Sequence, residues 1–444
     1  MPFTRRSFMK RGTLLMAMGV TAPTFLARTA EVMASDDEGC MTGANSKRSL
    51  VVIQLGGGND TLNTVIPYAD PTYYKVRPTL AIPQQEVLHL NERIGLNPSL
   101  SPLKALYDQG HLAIVQGVGY PNPNRSHFRA TDIWTSARPD IVEPTGWLGR
   151  YMDNTCSGED RPLKGVEVGD TVSKVFWTGQ SVVPAISSIE GFDFMTDGRF
   201  PNDRNNQVDT FKSLNGGVGQ GYDEVVRHAA REALDTSAQL KRVAASYRST
   251  VVYPDNRFAS GLQTIAKILS ADLGTRVFHI TLGGFDTHAG QARTHNMLLK
   301  TVAEGVQAFL RDLEGLGKLD DVMVMTFSEF GRRVAENGSV GTDHGAGSSL
   351  YLMGGGVKAG VFGDHPSLTD LDNGDLRHTI DFRSVYGTLL QDWLGTPPGA
   401  IIGGGSFPRL GFVASPSSSA SLPAAAFGSG PLAGARALAG SGLR

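Results

Sequence analysis

Cysteine is nearly absent: the 444-residue chain holds two, Cys40 and Cys156. Two thiols at that spacing exclude a cysteine-based zinc site. In an oxidising compartment they can form a disulfide, tying the mature N-terminus to the region after the first subdomain, and two free thiols fit equally well. Charge of either sign is also in short supply, with 41 Lys and Arg against 43 Asp and Glu. No basic run occurs beyond the N-terminus, which argues against a nucleic-acid or polyanion binder. Apolar runs are too short for a transmembrane anchor in the mature form, and no internal repeat is visible.

What is abundant is glycine, with 54 residues, clustered behind apolar runs in LGGGND and MGGGVKAG. That placement suits strand-to-loop turns rather than disorder. At the N-terminus, Arg5-Arg6-Ser7-Phe8-Met9-Lys10 precedes a moderately apolar stretch and an Ala-rich exit. This is the pattern of a signal peptide of twin-arginine type, over residues 1–34. Export through the twin-arginine translocase then places the mature protein in the periplasm or outside the cell. Residues 415–444 are Ser-, Ala- and Gly-rich and have too few large apolar residues to pack, as in a flexible tail.

Between them lie short continuous apolar runs, each ending in small residues: 49–55, 111–117, 277–282, 322–327 and 348–355. Runs of this length and continuity predict strands buried on both faces. Helical spacing at 98–109, 222–247, 258–273 and 294–315 alternates with them, and a final helix is expected over 379–394. The fold class is therefore α/β, a mostly parallel central sheet flanked by helices in one large domain over 47–413. A loop-rich insertion is expected at about 140–221, and irregular structure rather than a helix at 61–83. In such sheets ligand groups collect beyond the carboxyl ends of the strands. Asp60, Asp286, His288, Glu329, Asp343 and His344 all occupy such positions. Oxygen and imidazole ligands suit zinc, manganese, magnesium or calcium. Ser126 stands at the expected start of a helix, where free N–H groups stabilise negative charge. An ordinary helix N-cap is the stronger account of it.

Taken together, LVVIQLGGGNDTLNTVIPYADPTYYKVRPTLAIP, NRSHFRATDIW, LGGFDTH, FSEFGRR, GTDHGAG and DFRSVYGTLLQDWLG closely resemble the bacterial family known as domain of unknown function 1501. That family is grouped with the alkaline phosphatase and sulfatase superfamily. The resemblance implies metal ligation by Asp60, Asp286 with His288, and His344, with Ser126 as nucleophile. It also implies departures: Glu329-Phe330 stands where an Asp-His pair is usual, and Gln291 where a second histidine is common.

The resulting expectation is an exported, metal-dependent hydrolase of phosphate or sulfate esters, acting on a small-molecule or glycan anionic ester. Ser126 would act as nucleophile, with Arg125 or Arg129 at the oxyanion. Two alternatives stand beside it. One is a non-catalytic periplasmic binding or assembly protein, motivated by Phe330 and Gln291. The other is an SGNH-type esterase, suggested by Gly57-Gly58-Asn59-Asp60 and the spacing Asp375-Leu376-Arg377-His378, although its Gly-Asp-Ser block is missing.

Overall fold

The computed structural model describes residues 47–155, 163–178, 183–189, 203–217 and 219–414. The expected signal peptide, both cysteines and the C-terminal tail fall outside these residues.

A single sheet organises the domain. Its strands are β1 (Ser49–Gly56), β2 (Leu112–Gly119), β3 (Gly165–Val168), β4 (Val277–Gly283), β5 (Val322–Phe327), β6 (Ser348–Met353), β7 (Gly360–Phe362) and β8 (Ile380–Asp381). The spatial order is β7-β2-β6-β5-β1-β4-β3, with β8 also pairing β2. β1 lies at the heart, parallel to β4 on one side and β5 on the other. Every residue of β5 and β6 is buried, and β1 emerges only at Gly56. This fulfils the expectation drawn from the continuous apolar runs.

Alternate residues of β1 enter opposite cores. Val51, Ile53 and Leu55 join one, with the helices Ser101–Asp108 (α1), Arg257–Ser270 (α4) and Gln291–Gly315 (α5) packed over it. Leu50 and Val52 join the other. Helices His127–Ser136 (α2), Trp147–Asn154 (α3) and Phe382–Thr388 (α6) contribute Trp134, Trp147 and Tyr386 there. Two buried faces with period-2 alternation are what a sheet covered by helices on both sides requires.

Strand direction determines what reaches the upper rim. β6 is antiparallel to both β5 and β2, so β2 runs the same way as β5, β1 and β4. The carboxyl ends of β1, β4, β5 and β2 thus open on one edge, and β6, running the other way, begins there.

Three local expectations are corrected. Within 61–83, a six-residue helix spans Pro71–Val76, because Asp70 caps the N–H of Thr72 and Pro71 fits the first turn. The stretch 140–221 is more than loop: it holds α3, the helix Arg204–Asn215, and β3, which pairs with β4 as part of the main sheet. The closing helix begins at Phe382 rather than Thr379, since Asp381 caps it and Ile380 pairs with β2.

Candidate metal centre

Five segments meet at the rim. Gly57 and Gly58 follow β1, Phe285 to His288 follow β4, and Ser328 to Arg332 follow β5. Asp343 and His344 precede β6. His127 opens α2, which follows β2.

The order of contacts around Asp286 defines the site. His344 Nε2 lies 3.1 Å and His288 Nε2 3.0 Å from Asp286 Oδ1, and the two imidazole nitrogens are 3.0 Å apart. His127 Nε2 is 3.4 Å from Asp286 Oδ2. Among the described residues, His127, Asp286 and His344 bring one ligand atom each to within 4.8 Å of one another.

The far nitrogen of each ring has an oxygen partner. His344 Nδ1 sits 2.8 Å from the Arg125 carbonyl, which can only accept, so this nitrogen carries the proton. His127 Nδ1 lies 2.9 Å from Glu329 Oε1, and His288 Nδ1 3.2 Å from Asp343 Oδ1. With Nδ1–H donating in all three rings, each ring in its uncharged form turns the Nε2 lone pair toward Asp286. Lone pairs facing a carboxylate at such distances repel unless a cation stands among them. Outer oxygen acceptors that fix the tautomer are the usual support of metal-ligating histidines.

Two anchors hold these parts. Glu329, 3% exposed, accepts the Gly57 N–H at 2.8 Å and so joins β1, β5 and His127. Arg332, 1% exposed, donates to the carbonyls of Gly58, Thr342 and Phe285 at 2.7, 2.8 and 2.9 Å, to that of Gly57, and to Asp286 Oδ1 at 2.7 Å. Burial pushes the Asp286 carboxyl up, but the hydrogen bond and charge of Arg332 outweigh it and hold it at about 2. The carboxyl of Asp343 is lowered, chiefly by its hydrogen bond from Asn337.

The remaining expected residues are placed differently. Asp60 does not join the cluster; it is 1% exposed and paired at 2.6 Å with Arg77, which is fully buried. Gln291 also donates to it. Burial raises the Asp60 carboxyl, and the Arg77 charge more than compensates. His295, one turn along α5, is bonded to Asn59 Oδ1 at 2.9 Å. Its burial pulls the imidazole down to about 4. Ser126 is the N-cap of α2, but its hydroxyl makes no cap bond and the residue is exposed beside His127. Arg125 and Arg129 have other partners: Arg125 is bound to Asp375 at 2.5 Å, and Arg129 to Asp132 and the carbonyls of Pro139 and Ile141. Asp375 therefore faces Arg125 rather than His378, and the SGNH-type spacing does not form a dyad.

Phe330, the departure from an Asp-His pair, packs its ring 4.9 Å from that of His127 and 4.6 Å from that of His344. The imidazole lost at 330 is thus matched by one arriving from α2. His127 was missed in the sequence because attention fell on its neighbour, Ser126. The signal available was the imidazole itself, one residue into a helix that follows a rim-ending strand.

The fold and site define an α/β protein with a histidine–carboxylate centre at the carboxyl rim of its sheet. The chain belongs to the family described as "Protein of unknown function (DUF1501)", whose model matches residues 118–389. No curated protein matches it. Among solved structures, it is similar to a protein in the alkaline phosphatase superfamily from Vibrio parahaemolyticus, with 10% identity, TM-score 0.36 and coverage of 87% of this chain and 79% of that one. A second is the C-terminal periplasmic domain of EptC from Escherichia coli, in complex with Zn, with 10% identity, TM-score 0.38 and coverage of 82% and 90%. A sulfatase from Pseudoalteromonas sp. has 13% identity, TM-score 0.31 and coverage of 79% and 68%. Likeness at this distance carries nothing about chemistry, which must come from the site.

Proposed function

We propose that this chain is a metal-dependent hydrolase of phosphate or sulfate esters, with its divalent ion held by His127, Asp286, His344 and His288. The observation that carries this is the convergence of three imidazole Nε2 atoms on Asp286, each ring oriented from behind by Glu329, Asp343 or the Arg125 carbonyl. A nitrogen-rich donor set favours zinc or a similar borderline ion over magnesium and calcium, which prefer all-oxygen shells. Bound there, such an ion supplies Lewis-acid polarisation of an ester oxygen.

The chain's own groups do the rest. Ser126, whose exposed hydroxyl belongs to the residue directly before His127, is the proposed nucleophile. The first N–H groups of α2 are not capped by that hydroxyl and can receive a phosphoryl or sulfuryl oxygen. Arg125 and Arg129 brace this segment through Asp375 and Asp132, so the oxyanion falls to the helix start rather than to their guanidinium groups. The substrate class is a small-molecule or glycan anionic ester. Export by the twin-arginine route remains part of the proposal; among the described residues no helix is long and apolar enough to cross a membrane.

The test is metal content and turnover of the purified protein. Bound zinc or a related ion, together with hydrolysis of 4-nitrophenyl phosphate or sulfate that is lost in His127→Ala, supports the proposal. Protein that takes up no divalent ion defeats it. Metal retained without any ester turnover supports the binding-protein alternative.

A further inference from the structure

Resting on the metal centre just proposed, we infer that the chain holds a single divalent ion, and that the buried guanidinium of Arg77 serves as the permanent cation beside Asp60.

Charge is distributed differently around the two aspartates. Among the described residues, the carboxylates of Asp286, Glu329 and Asp343 have one guanidinium in hydrogen-bond contact, that of Arg332, while Arg333 acts on Asp343 from farther away. As formal charges the groups in contact leave an excess of two negatives, which one divalent ion balances. Among the described residues, the formal charges in contact around Asp60 are its own carboxylate and Arg77, and they cancel. An ion entering there would face a guanidinium 2.6 Å from its sole anionic ligand.

The neighbouring donors are occupied as well. Asn63 Oδ1 accepts from Arg77 and from Tyr73 Oη, each at 2.8 Å. Gln291 spends its amide N–H on Asp60, while its oxygen accepts from Thr287 and Thr342. His295 directs Nε2 at Asn59 Oδ1, an acceptor, so that nitrogen carries a proton and offers no lone pair. One oxygen, Asp60 Oδ1, is left without a protein donor. A single oxygen does not make a divalent cage, where several ligands are needed.

Arg77 is built in rather than incidental. Its remaining N–H groups bind the carbonyls of Val334 and Arg333, both at 2.9 Å, so the guanidinium cannot swing away without breaking a buried network. Asp60 is thereby a positioning residue for the loop after β1, not a ligand.

The experiment is stoichiometry. The chelator-stripped mature protein is titrated with zinc to saturation and its bound metal measured by elemental analysis, for the wild type, Asp286→Asn, Asp60→Asn and the double variant Asp60→Asn/Arg77→Met. The double variant guards against misfolding, because it removes both buried charges together. One equivalent in the wild type, lost in Asp286→Asn and retained in the folded double variant, is the expected result. Two equivalents in the wild type, or loss of the single equivalent in the folded double variant, overturns the inference while leaving the metal centre standing. No uptake by the wild type overturns both.

Discussion

Replacing Arg332 by lysine keeps one positive charge but cannot reproduce a planar fork reaching four carbonyls and Asp286 Oδ1. Roughly three or four buried hydrogen bonds go, at about 1 kcal/mol each, so the metal-free protein should lose on the order of 3–4 kcal/mol of stability. A second effect is separable from the first. Arg332 fixes the loops that present Asp286, Glu329 and His344, and loss of such outer support typically weakens metal binding by ~10–100-fold. At a fixed excess of zinc, the stabilisation that zinc confers should therefore shrink by about 1.4–2.7 kcal/mol. Urea denaturation with chelator and with zinc, for wild type and Arg332→Lys, gives both quantities. A folded Arg332→Lys protein that shows the wild-type zinc increment would refute the idea that this guanidinium organises the centre, whatever its stability without metal.

Ser126→Ala should abolish ester turnover while leaving bound metal unchanged; full turnover in this variant removes the serine from the chemistry. His127→Ala should lower zinc affinity by at least ~10-fold, measured by competition with a chromogenic chelator, and unchanged affinity would strike this ring from the ligand set. His295 has its pKa lowered to about 4 by burial, so the unfolded chain binds a proton below about 6.5 that the native one refuses. Stability conferred by its neutral form is present above about 6.5 and falls as pH drops toward 4, by about 3 kcal/mol in all. His295→Gln should flatten the stability curve in that window, and an unaltered slope would count against the assignment. Replacing Arg5 and Arg6 by lysines should leave the precursor in the cytoplasm, seen by fractionation, whereas normal export would exclude the twin-arginine route.

Much of the fold could be read from pattern. The continuous apolar runs at 49–55, 277–282 and 322–327 became β1, β4 and β5, because strands covered on both faces have no solvent side to encode. The residues behind them became the rim, and Asp286, His288, Glu329, Asp343 and His344 were recoverable for that reason. β3 was hidden: Gly165–Val168 has four residues and Glu167 among them, a charge made tolerable by His279 Nδ1 at 2.9 Å from the neighbouring strand. No local pattern announces such a pairing. Phe330 and Gln291 read as losses from a metal site, whereas each has a packing role. Phe330 lies against two imidazoles and Gln291 against Asp60.

By itself, then, the sequence determined the α/β class and the rim positions of most ionisable side chains, since both follow from short-range periodicity and from where apolar runs stop. Only the tertiary structure decided which of those side chains share a charge. It set Arg77 on Asp60 and Arg332 on Asp286, and it carried His127 from a distant helix to the cluster. Ion pairing depends on a few ångströms of separation between residues far apart in the chain, and spacing along the sequence does not contain that distance.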